Sequence, residues 1–80
     1  MKVKILFFGI AKDISKVNSV EFELKKDANV FDFLQLLKEK YSGFTAINDF
    51  SIAVNEEYAE NDVVLSESDV IAIIPPVSGG

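Results

Sequence analysis

Eighty residues and 8.9 kDa leave room for one small domain, and a chain this short buries only roughly 60% of the surface its unfolded form exposes. Thirteen acidic residues against eight basic ones give a net charge of −5 and a pI near 4.5. Every basic residue is Lys, so nucleic acid and anionic membrane surfaces are poor partners for want of a basic footprint and an Arg fork. With no Cys and no His, the chain lacks disulfides, thiolate nucleophiles, and the commonest general base and zinc ligand.

Hydrophobic residues make up 49% of the chain, seven of them Phe, and mean hydropathy is +0.22. Disorder is thereby excluded. So small a core cannot hide that much apolar surface, and a contiguous exposed patch implies a partner.

Val3, Ile5 and Phe7 alternate with Lys2, Lys4, Leu6 and Phe8, the period of a strand. This opening lacks the continuous apolar stretch of an export signal, and no run approaches the roughly 18 apolar residues that span a bilayer. A cytoplasmic location is expected. Gly9 ends the strand, and 10–18 reads as a connecting loop. Val20, Phe22 and Leu24 alternate with charged residues as a second strand, which should form an antiparallel hairpin with the first.

From Asn29 the period becomes helical. Val30, Phe33, Leu34, Leu37 and Tyr41 form one apolar stripe, with Asn29 as N-cap and Asp32 in the first turn. Lys38 and Lys40 suit the negative end of the helix dipole, and Gly43 is expected to stop the helix in the left-handed conformation. A loop at 44–49 leads to a strand at 51–55, a turn at 55–57 and a short strand at Tyr58. Asn61-Asp62 is a further turn candidate and 66–69 reads as turn-like. Val70-Ile71-Ala72-Ile73-Ile74 is a continuous apolar run, as in a strand with neighbours on both sides.

One helix across a mixed sheet is an α+β arrangement. The last strand belongs in the centre, parallel to the first, after a right-handed crossover. That is the β-grasp, or ubiquitin-like, fold over 1–74, followed by an extended, flexible tail at 75–80. Val3, Ile5, Phe7, Val20, Phe22, Leu24, Val30, Phe33, Leu34, Leu37, Ile52, Val54, Leu65, Ile71 and Ile73 are its expected core. Leu6, Phe8, Tyr58, Ala72 and Ile74 fall on the uncovered side of the sheet or at its edges.

The tail reads Pro75-Pro76-Val77-Ser78-Gly79-Gly80. Two prolines end the strand and fix an extended exit. A diglycine terminus has no side chains to clash in a narrow channel, and its carboxylate becomes an acyl electrophile only after activation. No loop has the ligand spacing of a metal site, the acidic residues read as a solvated surface, and no Ser has a His to activate it.

Together with Val3-Lys4-Ile5-Leu6-Phe7-Phe8, Ala53-Val54-Asn55-Glu56-Glu57-Tyr58 and Asp69 to Ile74, this ending resembles the small subunits of molybdopterin synthase, the MoaD-like sulfur carriers of the ubiquitin-like superfamily. The resemblance implies that Gly80 is adenylated by an E1-like (MoeB-like) enzyme using ATP and converted to a thiocarboxylate by a sulfur donor enzyme. The tail would insert into a large synthase subunit (MoaE-like) within a heterotetramer and deliver sulfur to cyclic pyranopterin monophosphate, forming the molybdopterin dithiolene. It implies no bound cofactor or metal, and a partner interface at Leu6, Phe8, Tyr58, Ala72, Ile74 and Lys12. Lys12-Asp13 stands where many members have Arg-Glu, and Ser68-Asp69 where Gly-Asp often precedes the last strand. A ubiquitin-like modifier conjugated through Gly80 and a sulfur carrier for thiamine thiazole synthesis are the other readings; Pro75-Pro76 with an apolar sheet face separates the first from them.

Overall fold

The computed structural model describes residues 1–45 and 49–76. In chain order the elements are β1 (Lys2–Phe7), α1 (Ile10–Ser15), β2 (Ser19–Glu23), α2 (Val30–Lys40), β3 (Ser51–Val54), β4 (Glu57–Tyr58) and β5 (Val70–Ile74). They form a five-stranded sheet in the order β2-β1-β5-β3-β4. β1 pairs antiparallel with β2 and parallel with β5, and β5 pairs antiparallel with β3. The continuous apolar run therefore occupies the middle of the sheet, and the fold is the β-grasp expected from the sequence.

The period-2 patterns decide which face is covered. Val3, Ile5 and Phe7 of β1, Phe22 of β2, Ile52 of β3 and Ile71 and Ile73 of β5 are buried with Val30, Phe33, Leu34 and Leu37 of α2. Each large side chain so enclosed contributes roughly 1.5–3 kcal/mol relative to leaving it in water.

α2 begins with a reciprocal cap. The Asn29 side chain accepts from the Asp32 N–H at 2.9 Å, and the Asp32 carboxylate accepts from the Asn29 N–H at 3.0 Å. Val30 and Phe31 donate their N–H groups to the Val63 and Asn61 carbonyls, both at 3.0 Å, and Phe33 donates to the Asn29 carbonyl. The first-turn donors that a helix leaves without internal partners are thus occupied.

Several expectations are corrected. The 10–18 stretch is not all loop, because α1 forms there, burying Ala11 and Ser15 four residues apart on one side. Six residues give too little periodicity to announce a helix. α2 ends at Lys40, and Gly43 is not left-handed: Tyr41 leaves helical geometry at φ −130°, ψ 89°. The Tyr41 ring packs edge-on against Phe7 and Phe44, with centroids 5.7 and 6.2 Å away, which draws the chain off the helical path. Gly43 serves a close approach instead, since a Cβ there would stand 2.8 Å from Ile14 Cγ2.

Val20 and Val54 are half-buried rather than enclosed, Val20 because β2 is an edge strand and Val54 because it adjoins the two-residue β4. Leu24 is buried one residue beyond β2. The core also holds Ala11, Ala28 and Phe44. The β3 strand stops at Val54, so Asn55 opens the turn and Glu57 already belongs to β4. Ser68, in the turn before β5, adopts φ 70°, a conformation that Gly takes without steric cost.

Candidate functional site: the open face of the sheet

The sheet has a second face that α2 does not cover. Register places Ser19, Leu6, Ala72, Ala53 and Tyr58 opposite one another across all five strands. Leu6, Ala72 and Ile74 are half-buried, whereas Phe8 is 48% and Tyr58 78% exposed. Ala53, flanked in this row by Ala72 and Tyr58, is buried although it points away from α2.

Leu6, Phe8, Val70 and Ala72 line a depression of about 450 Å³ whose rim is Asn55 and Glu56. Tyr58, at the far end of the row, borders a separate depression with Phe50, Ala59 and Glu60. Lys12 is exposed on α1 beside Asp13 and Lys16, away from the lining of the apolar depression. The structure thus brings Leu6, Phe8 and Ala72 together, sets Ile74 two residues further along β5 on the same face, and leaves Tyr58 and Lys12 apart from them.

The rim is tied to the central strand. The Asn55 side chain donates to Asp69 Oδ1 at 2.9 Å and accepts from the Val70 N–H at 3.0 Å, while its own N–H donates to the Val70 carbonyl. Asp69 Oδ2 accepts from the Ser66 N–H at 2.7 Å, so both carboxylate oxygens are engaged. Asn55 and Glu56 carry φ of 51° and 72°, the left-handed pair that a type I′ turn between β3 and β4 requires. The sequence marked 55–57 as a turn, but pattern alone does not show that its second residue faces the apolar depression.

Pro75 follows β5 directly and is half-buried, with Pro76 exposed. Gly9, at φ 54°, lies against the Pro75 ring. Val77, Ser78, Gly79 and Gly80 lie outside the described residues, as do residues 46–48 of the expected 44–49 loop. Among the described residues, no group of three or more acidic side chains gathers as a metal site, and no helix is long and apolar enough to cross a membrane. What the described face offers is a partly exposed apolar surface, to which β5, the last strand before Pro75, contributes Val70 and Ala72.

The ThiS family matches residues 5–80, nearly the whole chain. This chain belongs to the ThiS family. Curated relatives of this ThiS-family chain include the molybdopterin synthase sulfur carrier subunit of Dictyostelium discoideum, 37% identical over 96% of this chain and 94% of that one. The subunit of the same name from Drosophila yakuba is 34% identical over 100% of this chain and 92% of its own length. Among solved structures, a chain from the Helicobacter pylori complex of subunits 1 and 2 of molybdopterin-converting factor is 27% identical. It superposes with a TM-score of 0.74 over 100% of both chains. The small archaeal modifier SAMP1 of Haloferax volcanii shares the fold, with a TM-score of 0.91 at 21% identity over 100% of both chains.

Proposed function

We propose that this chain is the sulfur-carrier small subunit of a molybdopterin synthase, working in the cytoplasm. The observation that carries the reading is the course of β5. It supplies Ala72 and Ile74 to the open face and is followed in the sequence by Pro75-Pro76 and then Gly79-Gly80. Relatives of that name, alike over almost the entire chain, support it.

In this reading the Gly80 carboxylate attacks the α-phosphate of ATP on an E1-like adenylating enzyme, and pyrophosphate leaves. Adenylation turns a poor acyl electrophile into a good one. A sulfide equivalent from a sulfur donor enzyme then displaces AMP and leaves a thiocarboxylate. Leu6, Phe8, Tyr58, Ala72 and Ile74 dock the large synthase subunit, while Pro75 to Gly79 reach into its active site. Sulfur passes from Gly80 to cyclic pyranopterin monophosphate, twice for each dithiolene. Lys12 serves as a charged contact for a partner. Acid–base chemistry falls to the large subunit, in keeping with a chain that has neither His nor Cys.

Reconstitution tests the reading. Incubation with the adenylating enzyme, ATP and the sulfur donor should add the mass of one sulfur-for-oxygen exchange at Gly80. The product, mixed with large subunit and pterin precursor, should yield dithiolene. Deletion of Gly80 should abolish both steps. Isopeptide-linked conjugates or sulfur transfer to a thiazole precursor, without dithiolene, would replace this reading with that of a modifier or a thiamine-pathway carrier.

A further inference from the structure

Glu56 is an unexpected residue for its position. A two-residue hairpin turn with both residues at positive φ favours Asn followed by Gly, because a Cβ at the second position crowds the backbone. Here Asn55 fills the first position at φ 51°, but Glu56 occupies the second at φ 72°. Non-Gly residues held in this conformation gather at functional sites. Glu56 also stands at the rim of the depression floored by Leu6, Phe8 and Ala72.

The electrostatics of the rim single out this carboxylate. Both oxygens of Asp69 are occupied, by Asn55 Nδ2 and the Ser66 N–H. Glu56 has no cation within ion-pair distance; among the described residues the one ion pair joins the Met1 amine to Glu23. The turn backbone is held to β5 by the Asn55–Val70 and Asn55–Asp69 bonds, so the root of the Glu56 side chain is fixed beside the apolar floor.

We propose that Glu56 is a specificity-determining contact of the docking face, pairing with a basic side chain, best an Arg, that the partner presents next to an apolar residue seated between Leu6, Phe8 and Ala72. The inference rests on the reading that this face docks the large synthase subunit, and it adds the chemistry of what is docked. An Arg fork meets a carboxylate in two parallel hydrogen bonds, which fixes orientation as well as charge. A negative rim on an acidic chain also accelerates encounter with a basic partner surface.

The test measures thermal unfolding and affinity for the purified large subunit on the same proteins: wild type, Glu56→Gly, Glu56→Gln, Glu56→Lys and Phe8→Glu. Glu56→Gly should raise the melting temperature, since Gly relieves the turn, and yet weaken binding by roughly 10-fold. Glu56→Gln should weaken it similarly and flatten its salt dependence, and Glu56→Lys should weaken it further. A purely structural residue would not couple a more stable fold to poorer binding. If Glu56→Gly and Glu56→Gln bind as tightly as wild type while Phe8→Glu does not, the Glu56 contact is refuted and the docking face stands. If Phe8→Glu also binds normally, the docking face itself is wrong.

Discussion

Gly9 and Pro75 meet where the chain leaves the sheet: a Cβ on Gly9 would stand 3.0 Å from Pro75 Cγ. Gly9 lies at φ 54°, ψ −129°, a conformation that L side chains rarely adopt. The loop after β1 therefore closes against the root of the tail only because no side chain intervenes. Gly9→Ala should lose roughly 1–3 kcal/mol of stability in urea unfolding. Adding Pro75→Ala should recover part of that loss by removing the ring that the new methyl meets. Wild-type stability in Gly9→Ala would show that the contact carries no constraint.

Phe8→Glu should leave the fold nearly untouched, within about 0.5 kcal/mol, because Phe8 is half in solvent and outside the core. Binding to the large subunit should fall at least 100-fold, as expected when an aromatic anchor is replaced by a charge. Urea unfolding checks the first half and titration calorimetry on the folded variant the second; an unchanged dissociation constant would overturn the docking face.

Phe44 lies outside every helix and strand but is 1% exposed, and its ring meets those of Phe7 and Phe50 at 6.0 and 5.8 Å. Phe44→Ala should cost roughly 3–5 kcal/mol. Against a total of about 5–15 kcal/mol for a folded domain, that is enough to populate unfolded chain at ambient temperature. Denaturant midpoints report it directly.

The Glu23 carboxylate accepts a hydrogen bond from the Met1 amine at 2.8 Å. That bond, then the charge of the amine, holds Glu23 below its ordinary value of 4.5, with Lys2 adding a smaller pull. A depressed carboxylate stabilises the fold above its unfolded pKa and loses that contribution as pH falls through the folded one. The difference in urea midpoint between wild type and Glu23→Gln should therefore be present at neutral pH and vanish under acid. It should be small and shrink with added salt, because the Glu23 side chain is 68% exposed. A difference that persists at pH 2 would point to packing rather than charge.

Legibility in the sequence followed the length of each pattern. The α2 stripe and its Asn29–Asp32 cap combine many residues into one signal, and the five apolar residues of β5 can be satisfied only in the middle of a sheet. α1 is short and buries two small side chains, Ala11 and Ser15, which leave little imprint. Phe44 sits in a stretch with no regular apolar period, and its depth depends on the rings of Tyr41, Phe7 and Phe50 converging on it. Alternation revealed Leu6, Phe8 and Ala72 as a shared face, since strand residues two apart must point the same way. The places of Gly9, Gly43 and Glu56 depend on backbone angles and close approaches, for which a sequence of letters has no direct sign.

The central place of β5 also governs when a functional carrier can exist. Its ladder joins Lys4 to Val70 and Phe7 to Ile73, and without it β1-β2 and β3-β4 are separate hairpins. Isolated hairpins are marginal in water, and contacts this distant in sequence form late. During synthesis, the nascent chain completes its sheet only once the segment leading into the diglycine has been made. A partner that grips the folded body therefore meets only chains made at least through Ile74, and products interrupted before that point lack the sheet it would recognise.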